Sequence, residues 1–241
     1  MKSPYPQITC DVLIIGGGSA GAMAAIRAKE LNSRQEVVVL EKGDAKYSGC
    51  IARGMDALNI VAVPGVATPE LYVESNRLAC EGIMDEPVNY RMAERSWELM
   101  QKLVSWGVCF PVDEKGNYDI LQVHPKGRFC VTMKEPELKT ILAKRMVDLG
   151  ARVINRSMAL ELMTDGDRVC GALAMNVRTG ELFILHAKSV ILSAGGTARF
   201  GLPNNGYLYG VYDFPGNTGD GYCLAYRAGA ELSGFEYTLV Y

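Results

Sequence analysis

Two apolar runs near the start of the chain, Val12-Leu13-Ile14-Ile15 after Asp11 and Val37-Val38-Val39-Leu40, show no polar alternation. Such runs predict strands buried on both faces, as in a parallel sheet. Between them Ala20 to Leu31 predicts a helix. Further on, Thr68-Pro69-Glu70 has the form of a helix start, with Thr68 as N-cap and Pro69 at the first helical position, leading into Leu71 to Cys80. Pro87 opens a longer helix in which Ala93, Trp97, Met100 and Val104 recur at spacings of four, three and four, ended by Gly107. On that stripe Trp97, and Trp106 after it, read as core packing. Pro136 starts a third helix with Leu138, Ile141, Leu142 and Leu149 on one side and Gly150 as its stop.

From Ala151 the period becomes that of strands. Arg152 to Asn155 predicts a strand parallel to the first two, reached by the crossover helix. Leu160 to Met163, Val169 to Val177 and Leu182 to His186 are joined by Thr164-Asp165-Gly166-Asp167 and Arg178-Thr179-Gly180, which predicts a three-stranded antiparallel meander. Ser189 to Ser193 reads as a separate buried strand that ends at Ala194-Gly195-Gly196. Asp113 to Asn117 is a turn, and Gln122 to Thr132, with His124, Lys126 and Arg128, reads as a loop. Gly201 to Gly216 is a long glycine- and tyrosine-rich loop, read as functional. Asn217-Thr218-Gly219-Asp220-Gly221 leads into a helix from Tyr222 to Ala228, and Glu231 to Tyr241 is extended. The fold class is α/β: a Rossmann-like domain with a parallel sheet and an antiparallel three-stranded β-meander.

Between the first strand and helix stands Gly16-Gly17-Gly18-Ser19-Ala20-Gly21. Gly16, Gly18 and Gly21 fit the dinucleotide pattern: Gly16 for the tight turn, Gly18 for approach of a pyrophosphate to the backbone, and Gly21 with Ala25 for close packing of helix on sheet. The helix N-terminus that follows favours phosphate. Glu41, 20 residues beyond Gly21, ends the second strand. Its carboxylate can accept both hydroxyls of an adenosine ribose and would repel a 2′-phosphate, which argues against NADP. Lys42 to Gly54 is rich in glycine and small residues, suits backbone lying against a flat ligand, and predicts a loop feeding a short helix.

Composition removes several alternatives. The 241 residues are 49% hydrophobic, enough for one large domain or one and a half. A net charge of -2 and a pI near 5.8 leave no basic stripe for nucleic acid. The chain carries no apolar run of membrane-spanning length and no signal-peptide core at its start, which points to the cytoplasm. Seven cysteines, at 10, 50, 80, 109, 130, 170 and 223, have neither zinc or cluster spacing nor the form of a disulfide framework, and read as reduced, mostly small core residues. With only His124 and His186, both read as structural, no metal site is expected.

Taken together, Gly16 to Gly21, Glu41-Lys42, Ser48-Gly49-Cys50-Ile51-Ala52-Arg53-Gly54, Ala194-Gly195-Gly196, Asn217 to Gly221 and Arg227-Ala228-Gly229-Ala230-Glu231 resemble the flavoprotein subunits of the fumarate reductase and succinate dehydrogenase superfamily, and more closely the adenylylsulfate reductase alpha subunit. The resemblance covers nearly the whole chain. It implies FAD bound in an extended form: ADP at Gly16, Gly18, Ser19, Ala20, Gly21, Glu41 and Lys42, and isoalloxazine near Ser48, Gly49, Ala52 and Gly54 and the segment with Asn217, Thr218 and Asp220. Met158, Ala194, Gly195 and Gly196 are counted with the cofactor contacts. Ser48 stands where succinate dehydrogenases and membrane-bound fumarate reductases attach flavin to a histidine, so the flavin is expected to be non-covalent. Asn59 matches an asparagine near the substrate in adenylylsulfate reductase; an asparagine capping local backbone explains it equally well.

The implied chemistry is transfer of a hydride or electron pair between the flavin and a small substrate, of dicarboxylate or adenylylsulfate type, with an iron–sulfur or other electron-transfer partner, a quinone or oxygen for the second half-reaction, among which the sequence does not choose. Three readings stay open: that catalytic flavoprotein, a flavin-binding electron-transfer module whose chemistry lies on another polypeptide, and an NAD-binding regulatory domain. In the resembling families the strand corresponding to Phe235 to Tyr241 runs into a substrate-capping domain. Residues 1–241 are accordingly expected to be the N-terminal FAD-binding part, completed by the remainder of the flavoprotein or by a second subunit.

Overall fold

The computed structural model describes residues 4–53, 56–134, 137–197, 214 and 216–233. Pro136, Gly201 to Asp213 and Phe235 to Tyr241, on which a helix start, a functional loop and a final strand were expected, lie outside the described residues. The chain divides into two compact units, residues 1–53 with 139–241, and residues 54–138.

The first unit is built on a six-stranded sheet. Its strands are β1 (Gln7–Ile15), β2 (Val37–Leu40), β6 (Arg152–Ile154), β7 (Ser157–Asp165), β8 (Arg168–Asn176) and β9 (Leu182–Leu192), in the order β6-β2-β1-β9-β8-β7. The pairs β6·β2, β2·β1 and β1·β9 are parallel, whereas β9·β8 and β8·β7 are antiparallel. The register Leu13↔Val38 and Ile15↔Leu40 puts these four side chains on one face, where they join Leu185, Ala172, Ala174 and Leu224 in one core. The alternate residues Ile14, Val37 and Val39 are equally buried, so β1 and β2 are covered on both faces as their unbroken apolar pattern requires. Helix α1 (Ser19–Leu31) packs on β1, β2 and β9, with Ala22, Ala25 and Ile26 fully buried. Helix α4 (Leu138–Asp148) buries Leu142, Ala143 and Met146, and α5 (Asp220–Arg227) packs on β7.

The expected meander is present, but it is not a separate sheet. Its third strand and the run Ser189 to Ser193 form one continuous strand, β9, which pairs with β8 on one side and with β1 on the other. Ile191 and Leu192, expected to be buried, are 38% and 36% exposed. Met146 lies against the core where Leu149 was expected, since Leu149 falls beyond the end of α4.

In the second unit, α2 (Pro69–Ala79) packs against α3 (Glu86–Ser105), beside a small antiparallel sheet ordered β3 (Ala57–Leu58), β5 (Cys130–Thr132), β4 (Ile120–Leu121). Thr68 Oγ1 accepts the Leu71 N–H at 3.2 Å, the expected cap. The start of α3 is capped by Asp85, whose Oδ1 accepts the Val88 N–H at 3.0 Å. The apolar stripe of α3 is Ala93, Met100 and Leu103; Val104 is exposed, because Leu103 continues the 3.6-residue period from Met100 on the inner side. Cys130 to Thr132, read as loop, is the central strand of this sheet: three residues are too few to show a period.

Leu185 is fully buried between β1 and β8. Leu185→Ala is expected to lower the unfolding free energy by about 2–5 kcal/mol, read as a shifted urea midpoint at unchanged slope. An unshifted midpoint contradicts the core assignment.

Candidate functional site

The glycine turn forms where the ends of β1 and β9 meet the start of α1. Gly16 has φ +101°, and a Cβ there would fall 2.4 Å from the Ser193 carbonyl oxygen. A Cβ on Gly21 would fall 1.8 Å from the Gly16 carbonyl oxygen, so helix and turn touch through backbone alone. The Ser193 hydroxyl donates toward the carbonyls of Ile15 and Gly16, at 3.0 and 2.9 Å. Gly18 is different: a Cβ there meets nothing within 4 Å, and no side chain caps the helix that begins beside it. An open backbone at an uncapped helix N-terminus with no acidic residue in its first turn has the donors and the electrostatics that suit an anion.

A cavity of about 340 Å³ begins at this turn. It is lined by Gly16, Gly18, Ser19, Ala20, Glu41, Lys42, Ser48, Gly49, Met158, Ala194, Gly195, Asn217 and Asp220 from the residues singled out in the sequence. Ile15, Leu40, Gly43, Cys50, Ser157, Ala159, Ser193, Phe214, Gly216 and Leu224 line it as well. Most of these follow directly on a motif in the chain, and Leu224 is signalled only by its place on α5. Gly21, Ala52, Gly196 and Thr218 stand outside the lining, Gly21 as a packing residue under the turn and Thr218 as a rim bond. Gly54 lies outside the described residues.

Glu41 is 7% exposed, and its carboxylate already serves the backbone. Oε2 accepts the Gly17 N–H at 2.7 Å and Oε1 the Gly43 N–H at 2.6 Å, which fixes the plane of the carboxylate at the end of β2 and leaves lone pairs toward the cavity. Ser48 is buried and its hydroxyl donates to the Asp44 carbonyl at 2.8 Å, closing the turn that brings Gly49 and Cys50 to the wall. Gly195 has φ +73°, with Asn217 packed against its Cα; Asn217 Nδ2 lies 3.5 Å from the Cys50 sulfur. Lys42 donates to Asp220, and to Thr218 Oγ1 at 2.8 Å, while that hydroxyl donates to Asp220 Oδ2 at 2.9 Å. This triad ties the loop after β2 to the start of α5. Lys139, which no sequence pattern marked, is 2% exposed and its ammonium donates to the Gly17 carbonyl.

In the second unit Asn59 is exposed. Its Oδ1 accepts the Ile60 N–H at 2.8 Å and lies 2.9 Å from His124 Nε2. The His124 ring is held edge-on by Tyr72 and Phe129, at centroid distances of 5.5 and 5.4 Å, and burial pushes its pKa below the usual histidine value. The cysteines are less buried than expected: Cys50, Cys80, Cys109 and Cys223 are exposed and only Cys10 and Cys130 are buried. Single cysteines carry no period that could have separated the two groups. Among the described residues no group of three His, Cys, Asp or Glu side chains could hold a metal, and no helix is long and apolar enough to cross a membrane.

A mostly parallel sheet with a glycine turn, an acid-ended second strand and a cavity running from that turn to the α5 start defines a dinucleotide-binding flavoprotein fold. The FAD binding domain family matches residues 11–240, and the chain belongs to that family, with FAD as its cofactor. It is 27% identical to a subunit of the fumarate reductase (CoM/CoB) of Methanothermobacter marburgensis, over 94% of this chain and 41% of that protein. To the L-aspartate oxidase of Streptomyces coelicolor it is 26% identical, over 98% of this chain and 41% of the relative. The solved structure of adenylylsulfate reductase from Archaeoglobus fulgidus superposes with a TM-score of 0.82 at 26% identity, over 94% of this chain and 37% of that one. The chain thus spans about two fifths of the length of the curated relatives it matches.

Glu41→Ala removes the acceptor of two backbone N–H groups at the cavity wall. It is expected to weaken FAD binding by about 1–3 kcal/mol in a fluorescence titration and to lower the melting temperature of the flavin-free protein. Flavin affinity equal to that of wild type would remove Glu41 from the ribose site.

Proposed function

We propose that this chain is the FAD-binding part of an oxidoreductase flavoprotein that exchanges two electrons between a small substrate, of dicarboxylate or adenylylsulfate type, and an iron–sulfur or other electron-transfer partner. The observation that carries the reading is the cavity that joins the phosphate cradle at Gly18 to Ser48, Gly49 and Asn217. In it Gly16 to Ala20 and Lys42 would hold the diphosphate, Glu41 the ribose, and Ser48, Gly49, Asn217 and Asp220 the ring end. When bound, the flavin supplies the two-electron chemistry; the residues of the chain bind it, orient it and keep water from its buried edge. The names of the relatives, a fumarate reductase, an aspartate oxidase and an adenylylsulfate reductase, support the substrate class. Asn59 is assigned a weak substrate contact. Completion of the substrate site by a capping part or a second subunit, and a cytoplasmic location, belong to the same proposal.

Because a serine stands at position 48, acid precipitation is expected to leave yellow FAD in the supernatant; flavin that stays with the pellet contradicts a non-covalent cofactor. The activity is tested by mixing the full flavoprotein with fumarate, succinate, L-aspartate, adenylylsulfate and sulfite in turn and following the flavin band. Reoxidation or bleaching with one of them supports the catalytic reading. A band that none of them changes, but that a reduced iron–sulfur protein bleaches, favours an electron-transfer module.

A further inference from the structure

We propose that Lys139 is a positioning residue for the FAD diphosphate: by holding the Gly17 carbonyl it aims the Gly18 N–H of the glycine turn into the cavity. The inference rests on FAD as the cofactor, and it concerns a side chain that neither the glycine pattern nor the resemblance singles out.

Lys139 lies in the first turn of α4 and is among the largest fully buried side chains of the described residues. An ammonium taken out of water is costly unless strong acceptors replace the water. Burial pushes its pKa below the usual lysine range, and the charges of Glu41 and then Asp44 act in the opposite direction. Its acceptor is the Gly17 carbonyl. The Gly17 N–H, on the neighbouring peptide unit, donates to Glu41 Oε2 at 2.7 Å. Two successive peptide units of the glycine turn are therefore each fixed by a buried ion of opposite sign.

The consequence falls on Gly18. The chain has no cis peptide bond among the described residues, and in a planar trans peptide the N–H points opposite to the preceding C=O. With the Gly17 oxygen turned to Lys139, the Gly18 N–H is turned away from it. That N–H has no acceptor among the described residues, Gly18 lines the cavity, and a Cβ on Gly18 would meet nothing within 4 Å. A donor without an acceptor, facing open space at an uncapped helix start, is matched by a diphosphate oxygen. Without the ammonium, the Gly17–Gly18 peptide is free to rotate, and the donor loses its aim.

The test uses the full chain, stripped of flavin, as wild type, Lys139→Met and Lys139→Arg, with Kd measured for FAD, ADP and adenosine and the melting temperature read without ligand. Lys139→Met is expected to raise the Kd of FAD and of ADP by the same factor, about tenfold or more, and to leave adenosine within about twofold. Lys139→Arg, which keeps a charged donor, is expected to restore FAD binding to within about threefold. In the wild type labelled with [¹⁵N]glycine, the Gly18 amide proton is expected to move downfield with ADP and to stay in place with adenosine, a readout that stands even if the methionine variant fails to fold. A folded Lys139→Met protein with wild-type FAD affinity, a loss shared equally by adenosine, or a Gly18 amide that ignores ADP overturns the inference. A wild type that takes up no FAD overturns the cofactor assignment beneath it.

Discussion

The site depends on an absence of side-chain atoms where three segments of backbone converge. Gly16 sits against the Ser193 carbonyl and Gly21 against the Gly16 carbonyl, at separations no Cβ could occupy. This contact requires the end of β9 to reach the turn after β1, which the parallel register Ile15↔Leu192 brings about. Sheet pairing, helix entry and cavity floor are thus one constraint. Ser193 closes it by donating toward carbonyls 178 and 177 residues away in sequence. A methyl group at either glycine would push α1 off the sheet and carry the N–H groups at its start away from the cavity.

Around that contact the charges are arranged by burial. Glu41 and Lys139 are both below a tenth exposed and each is bonded to peptide groups of the turn, so each ion satisfies backbone that would otherwise lie unpaired in a dry region. Lys42 and Asp220, at 32% and 26% side-chain exposure, are a different case. Solvent screening leaves such a pair about 0–1 kcal/mol, and its use is geometric: it sets the distance between the loop after β2 and the helix that starts at Asp220. The inner pair fixes two peptide units of the glycine turn, and the outer pair joins the loop after β2 to the start of α5.

What could be read from the sequence was what repeats at short range. The runs at β1 and β2, the glycine spacing, Glu41 and the Thr68-Pro69 start of α2 each carry a local signal and stand where that signal put them. The continuity of β9 was hidden by Ala187-Lys188, which looked like a break between two strands. Lys188 is instead a solvent-facing strand residue whose ammonium pairs with Asp11 at 2.6 Å across the β1·β9 ladder. Lys139 was illegible for the opposite reason. A lysine between Leu138 and Thr140 reads as the wet side of an amphipathic helix, and only the position of Gly17, 122 residues away in sequence, makes a cation tolerable there. Long-range polar partners leave no period to detect.

Four of the cavity-lining segments share one topological feature. Gly16 follows the carboxyl end of β1, Glu41 that of β2, Ser193 that of β9, and Ser157 comes after β6, all four strands being parallel. This is the edge at which open α/β sheets bind ligands, because loops there can diverge while the strands stay paired. The second unit enters the chain through the loop after β2, and its first strand leads directly to Asn59. There Ile60 has φ +67°, a conformation that is an outlier for a β-branched residue and costs about 1–3 kcal/mol. Its N–H donates to Asn59 Oδ1, which settles the orientation of the amide and requires His124 to present Nε2 as a donor to the same oxygen. The Asn59 amide is thus held from one side by the Ile60 backbone and from the other by a histidine set edge-on between Tyr72 and Phe129.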